Sequence, residues 1–273
     1  MVTFSGSPKE SLNSIIKNRA LIISLVKRDV ISRYKGSLFG WVWSFLTPLF
    51  MLSVYTLVFG EVLKVKWGAG GNDAPGQFAM LLFAGLIIFN MFAECINRSP
   101  SIILSNVNYV KKIVFPLEVL PVVTVLSTLF HAAVSFLVWV IVYIILFGLP
   151  HPTLLFAPVV LIPILLLISG SVFFLSSLGV FVRDISQVVG LACTALMFLS
   201  PIFYPSSSLP TQYQFIVHLN PLTLPIEEFR KVAFFGIPPN WSSISIYLLI
   251  ATLINFVGFY FFQKTRKAFA DVL

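Results

Sequence analysis

KRDVISRYKGSLFGWVWSFLTPLFMLSVYTLVFG, residues 27–60, is the stretch that decides the fold. Its first nine residues carry five charges, and the next twenty-five, from Gly36 to Gly60, carry none. As a helix, the uncharged part extends about 37 Å, which is enough to cross a hydrocarbon core about 30 Å thick. Trp41 and Trp43 follow the basic residues, at the level where indole rings favour lipid headgroups. The pattern predicts a membrane span whose amino-terminal side is cytoplasmic.

The composition extends this interpretation to the whole chain. Of its 273 residues, 58% are hydrophobic and only 10% are charged, whereas a soluble domain is about 25% charged. Cys95 and Cys193 both lie in apolar runs, so neither a disulfide framework nor a metal site is predicted. The sequence therefore predicts an all-α, polytopic membrane protein.

The hydropathy pattern divides the chain at residue 35. Residues 1–35 form a cytoplasmic segment with a basic amphipathic helix, which starts at a capping box made by Ser7, Pro8 and Glu10. This helix could lie on the membrane surface, pack on a soluble partner, or do both with two faces. Residues 36–273 form the transmembrane domain, in which six helices are predicted over residues 36–60, 78–96, 118–148, 154–182, 185–204 and 241–262.

Two polar segments and two ionisable residues interrupt the apolar pattern. Residues 97–116 are predicted to form a short cytoplasmic helix between the second and third spans, and residues 205–240 to form two short external re-entrant helices. Glu94 is predicted near the inner end of its span, because a carboxylate at the membrane centre is costly. His131 is expected to bond a neighbouring helix rather than to carry a proton or bind a ligand.

The basic residues set the orientation. In this topology, fourteen of the eighteen Lys and Arg residues are cytoplasmic, and the four external ones are Lys64, Lys66, Arg230 and Lys231. Such a bias is the positive-inside signal, and it places both termini in the cytoplasm. The net charge of +8 therefore indicates orientation and requires no nucleic-acid partner.

Motifs for catalysis and nucleotide binding are missing from the sequence. It contains no GxxxxGK[ST], HExxH, CxxC or GxSxG, and its ten Asp and Glu residues are scattered apart from Glu227-Glu228. An embedded transferase would cluster acid and base residues at one membrane face, and an ion-coupled carrier would use intramembrane ionisable residues. The chain is therefore predicted to be no enzyme and to bind no cofactor, and energy for transport must come from a partner.

Four stretches carry a family resemblance: RDVISRYKGSLFGWVWSFLTPLFMLSVYTLVFG, AECINRSPSIILSNVNYVKKIVFPLEVLPV, FVRDISQVVG with LSPIFYP, and NPLT. They resemble the transmembrane subunits of ABC-2-type polysaccharide exporters, and most of all O-antigen (lipopolysaccharide) permeases. The resemblance implies a homodimer in the bacterial inner membrane that works with two cytoplasmic ATPase subunits, which bind ATP and magnesium. The implied cargo is a polysaccharide linked to undecaprenyl diphosphate.

The resemblance also implies where the ATPase acts. Residues 7–35 are the implied interface helix, and residues 100–112 the implied coupling helix. Within these two segments, the candidate coupling residues are Arg28, Asp29, Arg33, Asn106, Asn108 and Tyr109.

A polysaccharide conduit needs contacts that release the cargo again, and aromatic rings offer stacking without buried charge. The candidate channel residues lie beside Pro48 and Pro201, where the spans are expected to bend: Trp41, Trp43, Phe50, Phe198, Phe203 and Tyr204. Each could instead contact lipid or pack in the core.

Two other functions stay open. One is export of another cargo by the same architecture, such as a capsule or teichoic-acid polymer, a drug or a lipid. The other is a membrane-embedded polymerase or ligase. The sequence does not specify the sugars of a polymer.

Overall fold

The computed structural model describes residues 15–67, 74–111 and 115–273. Every regular element in these ranges is helical, as the composition predicts. The capping box at Ser7, Pro8 and Glu10 lies outside the described residues.

The amino-terminal part consists of two helices joined by a turn. Helix α1 covers Arg19–Ser32, and α2 covers Trp43–Tyr55, preceded by a 3-10 turn at Gly40–Val42 and extended by a π-helical turn at Thr56–Val62. Between α1 and α2, Gly36 has a φ of +85°, which side chains other than glycine rarely adopt. The first predicted span therefore begins as a turn and becomes helical from Gly40.

The remaining helices follow in chain order: α3 (Gln77–Arg98), α4 (Val107–Val110), α5 (Val119–Phe147), α6 (Ala157–Phe181), α7 (Ile185–Leu199), α8 (Thr211–Leu219), α9 (Thr223–Arg230), α10 (Trp241–Thr265) and α11 (Phe269–Val272). Within the described ranges, five helical runs are long and apolar enough to cross a membrane: Gly40–Val62, Gln77–Ser101, Val119–Phe147, Pro152–Phe181 and Trp241–Val272. This result supports a polytopic membrane protein.

Helix α7 is shorter than the span predicted for residues 185–204. It ends at Leu199 after 15 residues, and Ser200 is extended, with a ψ of 150°. The cause is Pro201, because the residue before a proline avoids the helical conformation. A helix of this length reaches only about 22 Å, less than the thickness of a hydrocarbon core.

Helix α3 forms the centre of the molecule. It is buried along most of its length and is surrounded by α2, α5, α6, α7 and α9. The indole of Trp139 in α5 is fully buried and donates a hydrogen bond to the carbonyl of Met80 at 2.9 Å. Any displacement of α3 is therefore transmitted to several other helices.

The closest helix pair is α6 with α10. Gly170 lies against the backbone of Asn255, and Gly258 lies against Gly170. The Asn255 side chain also donates to the carbonyl of Leu166 at 3.1 Å. Small residues at these positions allow the two helices to approach this closely.

Candidate functional site

Two acidic and two basic side chains join α1 to the end of α3. Both carboxylate oxygens of Asp29 lie 3.0 Å from Nη2 of Arg98. Arg33 forms an ion pair with Glu94, and Arg98 lies 3.4 Å from the same carboxylate. Both pairs are spaced by four residues, so the charges of one helix face those of the other. The cluster of Asp29, Arg33, Glu94 and Arg98, here called the charge junction, has no net charge.

The ionisation state of Asp29 agrees with an ion pair between Asp29 and Arg98. Burial alone would raise the pKa of the Asp29 carboxyl, but a hydrogen bond with Ser127 and the charge of Arg98 outweigh burial. The pKa of Asp29 consequently lies below its ordinary value. Asp29 is therefore ionised at neutral pH and pairs with Arg98 as a carboxylate.

The charge junction also contacts α5. Thr128 donates a hydrogen bond to Glu94 at 3.2 Å. One turn further along α5, Nδ1 of His131 lies 3.3 Å from the hydroxyl of Tyr34, the second residue after α1. A cavity of about 100 Å³ adjoins these groups and is lined by Asn90, Glu94 and His131 among others. His131 thus forms its hydrogen bond with Tyr34 in the turn that follows α1 and not with a side chain of another span.

The polar segment after α3 is folded onto α1. It consists of two 3-10 turns, Ser99–Ser101 and Leu104–Asn106, followed by α4. The guanidinium of Arg28 donates to the hydroxyl of Tyr109 at 2.9 Å, and the Tyr109 ring stacks on Phe115 with 4.3 Å between centroids. Two of the predicted coupling residues, from segments 81 positions apart, are therefore in direct contact.

The same segment packs on the end of α6. Ser99 and Pro100 are buried, and a Cβ at Gly179 would overlap the backbone of Pro100. The segment is consequently held between α1 and α6. Its predicted residue Asn106 bonds the carbonyl of Ile102 at 2.8 Å, whereas Asn108 is exposed.

A cavity of about 120 Å³ lies where α1, the polar segment and α5 meet, and Arg28, Asp29, Arg98, Ser105 and Asn106 are among its lining residues. The structure therefore brings together five of the six predicted coupling residues at one end of α3: Arg28, Asp29, Arg33, Asn106 and Tyr109.

Sequence reasoning missed Glu94 and Arg98 as partners of α1. It placed Glu94 by membrane depth alone and used Arg98 only in the charge count. A signal was present, because Glu94 and Arg98 have the same four-residue spacing as Asp29 and Arg33 with opposite charges. The contact of Tyr34 with His131 has no comparable signal in the sequence.

The six predicted channel residues lie in two separate groups. Trp41, Trp43 and Phe50 are exposed around the start of α2, and Trp43 and Phe50 lie two turns apart on one face. No ring contact joins this group to the second group within the described ranges. The protein surface of a single chain therefore shows two aromatic patches.

The second group lies at the end of α7. The rings of Phe198 and Phe203 stack with centroids 6.3 Å apart, and the Tyr204 hydroxyl donates to the carbonyl of Phe198 at 3.1 Å. Phe198 is 61% exposed, so this patch, like the first, has a face that its own chain leaves uncovered.

At the opposite end of α3, a buried arginine holds the short helix α9 in place. Arg230 donates to the carbonyls of Leu81 and Ile202 at 2.8 Å each and also to that of Pro201. Its guanidinium lies 4.4 Å from the ring centroid of Trp67. A buried charge is costly unless it is fully bonded, so these contacts fix α9 firmly against α3 and the end of α7.

Comparisons with known proteins agree with the sequence resemblance. The family model described as ABC-2 type transporter matches residues 20–234. The O-antigen export system permease protein RfbA of Klebsiella pneumoniae is 28% identical over 93% of this chain and 95% of its own length. Its Myxococcus xanthus namesake is 24% identical over 95% and 98%.

A relative with a different name also matches. The polysialic acid transport protein KpsM of Escherichia coli is 27% identical over 92% of this chain and 95% of its own length. The family match covers the charge junction, the polar segment and both aromatic patches. The chain belongs to the ABC-2 type transporter family.

Proposed function

We propose that the chain is the transmembrane permease subunit of an ATP-driven exporter in the bacterial inner membrane. Its cargo is a polysaccharide of the O-antigen type linked to undecaprenyl diphosphate. Relatives named for O-antigen export align with nearly the whole chain, which supports this cargo class. The alignment with a protein named for polysialic acid transport makes a capsule polymer the second candidate. The subunit itself is not an enzyme; ATP and magnesium bind to its partner.

The observation that carries the proposal is the charge junction. Two ion pairs fix α1 to α3, and α3 is the buried centre of the membrane domain. A cytoplasmic ATPase that pushes on α1 or on the polar segment 99–111 would therefore move α3 and the helices around it. Arg28, Asp29, Arg33, Asn106, Asn108 and Tyr109 form the proposed coupling region, with Asn108 exposed toward the partner.

The proposed topology has six spans with both termini in the cytoplasm. Helix α7 supplies the fifth span together with residues 200–204, which extend it beyond the end of the helix. Helices α8 and α9 are the re-entrant pair on the outer side. The short lengths of α8 and α9, nine and eight residues, support this arrangement, because neither could cross a bilayer.

The proposed assembly is a homodimer with two ATPase subunits. Trp41, Trp43, Phe50, Phe198, Phe203 and Tyr204 are proposed to line a channel that two copies form together. Their uncovered faces support this role, since a second chain would bring the two aromatic patches around a common space. Stacking on rings tolerates many sugars and allows the polymer to move on.

The test is reconstitution. The full-length subunit, co-expressed with its partner ATPase, should co-purify with that ATPase in equal amounts. In proteoliposomes, the complex should move lipid-linked polysaccharide only when ATP is hydrolysed. A partner ATPase with its catalytic glutamate replaced by glutamine is the matched control. Polymer synthesis or ligation by the subunit alone would refute the proposal in favour of an enzyme, and transport of drugs but not polymer would refute the cargo.

A further inference from the structure

An open groove of about 580 Å³ lies between α1 and α5. Ile23, Lys27 and Ile31 line it from α1, and Leu126, Phe130 and Ala133 line it from α5. Ile22, Val26 and Val30 of α1 complete this lining. On the helical wheel, the six α1 residues of the groove centre about a quarter turn from Asp29 and Arg33, which bind α3. The groove thus borders the side of α1 next to the one that the charge junction holds.

The groove lies at the depth of one lipid leaflet. Helix α5 has 29 residues and is about 43 Å long, close to the roughly 40–45 Å thickness of a whole bilayer. Counted from Val119, Leu126 and Ala133 lie about 10 and 21 Å along the helix. When α5 spans the membrane, the groove therefore opens onto acyl chains of the leaflet on the side of α1.

Lys27 is the only charged residue among those that line the groove. It follows Ile22 by five residues, and Ile22 packs on Val119 and Val123 at the start of α5. Lys27 is therefore about 7 Å along α1 from that level, and its four-carbon stem can carry the ammonium group back to the headgroups. Among the residues that the structure describes, Lys27 has no ion-pair partner.

We propose that this groove is a binding site for an anionic glycerophospholipid. One acyl chain lies between α1 and α5, and the phosphate pairs with Lys27. The apolar lining suits the chain, and the unmatched ammonium suits the phosphate. Bound lipid holds the groove side of α1, next to the side that the charge junction holds. The inference requires only that α5 spans the membrane, so it is independent of the cargo proposed above.

The test uses full-length protein in phosphatidylcholine nanodiscs. The discs contain a trace of phosphatidylglycerol that carries a photoreactive diazirine on one acyl chain, and labelled peptides are mapped by mass spectrometry. We expect labelling at 126–133 and 23–31, about fivefold stronger than with a phosphatidylcholine probe of the same chain. Lys27→Gln should lower the phosphatidylglycerol signal to the phosphatidylcholine level.

Two further variants keep the test specific. Lys17→Gln removes a basic residue that does not line the groove, and it should leave labelling unchanged. Ala133→Phe fills the groove and should remove labelling by both lipids there. Labelling at Phe174 and Leu253, in the separate apolar groove between α6 and α10, should persist and shows that the fold is intact.

Three results would overturn the proposal. Equal labelling by both lipids, unaffected by Lys27→Gln, would mean ordinary lipid contact. Displacement of the phosphatidylglycerol probe by trace undecaprenyl phosphate would assign the groove to a polyprenyl lipid. Absence of lipid labelling, together with disulfide cross-links between copies through Leu126→Cys, would assign it to a second chain.

Discussion

Nη2 of Arg98 lies 3.0 Å from each of the two carboxylate oxygens of Asp29, a residue 69 positions earlier in the chain. This contact ties a surface helix to the end of the most buried helix in the molecule. Asp29 belongs to the interface segment predicted from the sequence. Arg98 was predicted only to lie on the cytoplasmic side, and the contact brings the two together.

Removal of the Asp29 charge should loosen α1. Asp29→Asn keeps the shape of the side chain but leaves Arg98 without its carboxylate partner, and we expect a loss of about 1 kcal/mol in the docking of α1 because both side chains are partly solvated. Hydrogen exchange of α1 amides should accelerate about fivefold, and export should fall. Asp184→Asn, at the exposed turn before α7, is the control and should change neither. If hydrogen exchange of the α1 amides were unchanged in Asp29→Asn, the charge junction would have no part in coupling.

The same pair predicts a dependence on pH. Because the pKa of Asp29 is lower in the folded chain than in the unfolded chain, its ionised form stabilises the fold above the unfolded value of about 3.9. That contribution is lost as the pH falls through the lower, folded pKa.

A nitroxide at Ser24→Cys, an exposed position on α1, can report this change. Its mobility should increase as the pH falls below about 4. In the Asp29→Asn background this step should be smaller, since Glu94 is the one carboxyl of the charge junction that is left to titrate. A step of equal size in both backgrounds would assign the acid transition to other groups.

Tyr109 offers a test of coupling at a single atom. Tyr109→Phe removes the hydroxyl that Arg28 binds but preserves the ring that stacks on Phe115. We expect export to fall severalfold with normal membrane insertion and ATPase binding. Replacement of Asn106, Asn108 and Tyr109 together should abolish export. Full export by the triple variant would contradict the assignment of this segment.

Reporter fusions test on which side of the membrane each loop lies. Fusions after Gly71 and Ser207 should report the outer side of the membrane, and a fusion after Lys112 the cytoplasm, because the basic residues are concentrated there. The fusion after Ser207 also tests α7, whose 15 residues need the following segment to complete a crossing. An outer-side signal after Lys112 would refute the six-span arrangement.

The aromatic patches predict a slower exporter when they are removed. Alanine at Trp41, Trp43, Phe50, Phe198, Phe203 and Tyr204 should lower the rate of polymer export at least tenfold without reducing membrane abundance. Alanine at Ile246, Leu249 and Leu253, which are exposed on α10, is the matched control and should leave the rate unchanged. If the sixfold variant exports normally, the conduit lies elsewhere.

The sequence allows much of this architecture to be predicted because a bilayer imposes length and polarity on each span. The helices α3, α5, α6 and α10 begin and end close to the predicted bounds for that reason. The helix of the fifth span ends before Tyr204, the predicted end of that span, since Pro201 stops the helix although the apolar pattern continues. Side-chain partners such as Glu94 with Arg33, or Tyr34 with His131, depend on how helices pack, and hydropathy carries no information about that.

The buried guanidinium of Arg230 has a consequence for biogenesis. Its acceptors at Leu81, Pro201 and Ile202 all precede it in the chain, so they are synthesised before Arg230. Helix α9 can enter its buried position only after α3 and α7 are inserted side by side, because earlier burial would leave an unpaired cation in an apolar medium. Burial of Arg230 thus requires that the membrane domain around it is already correctly packed.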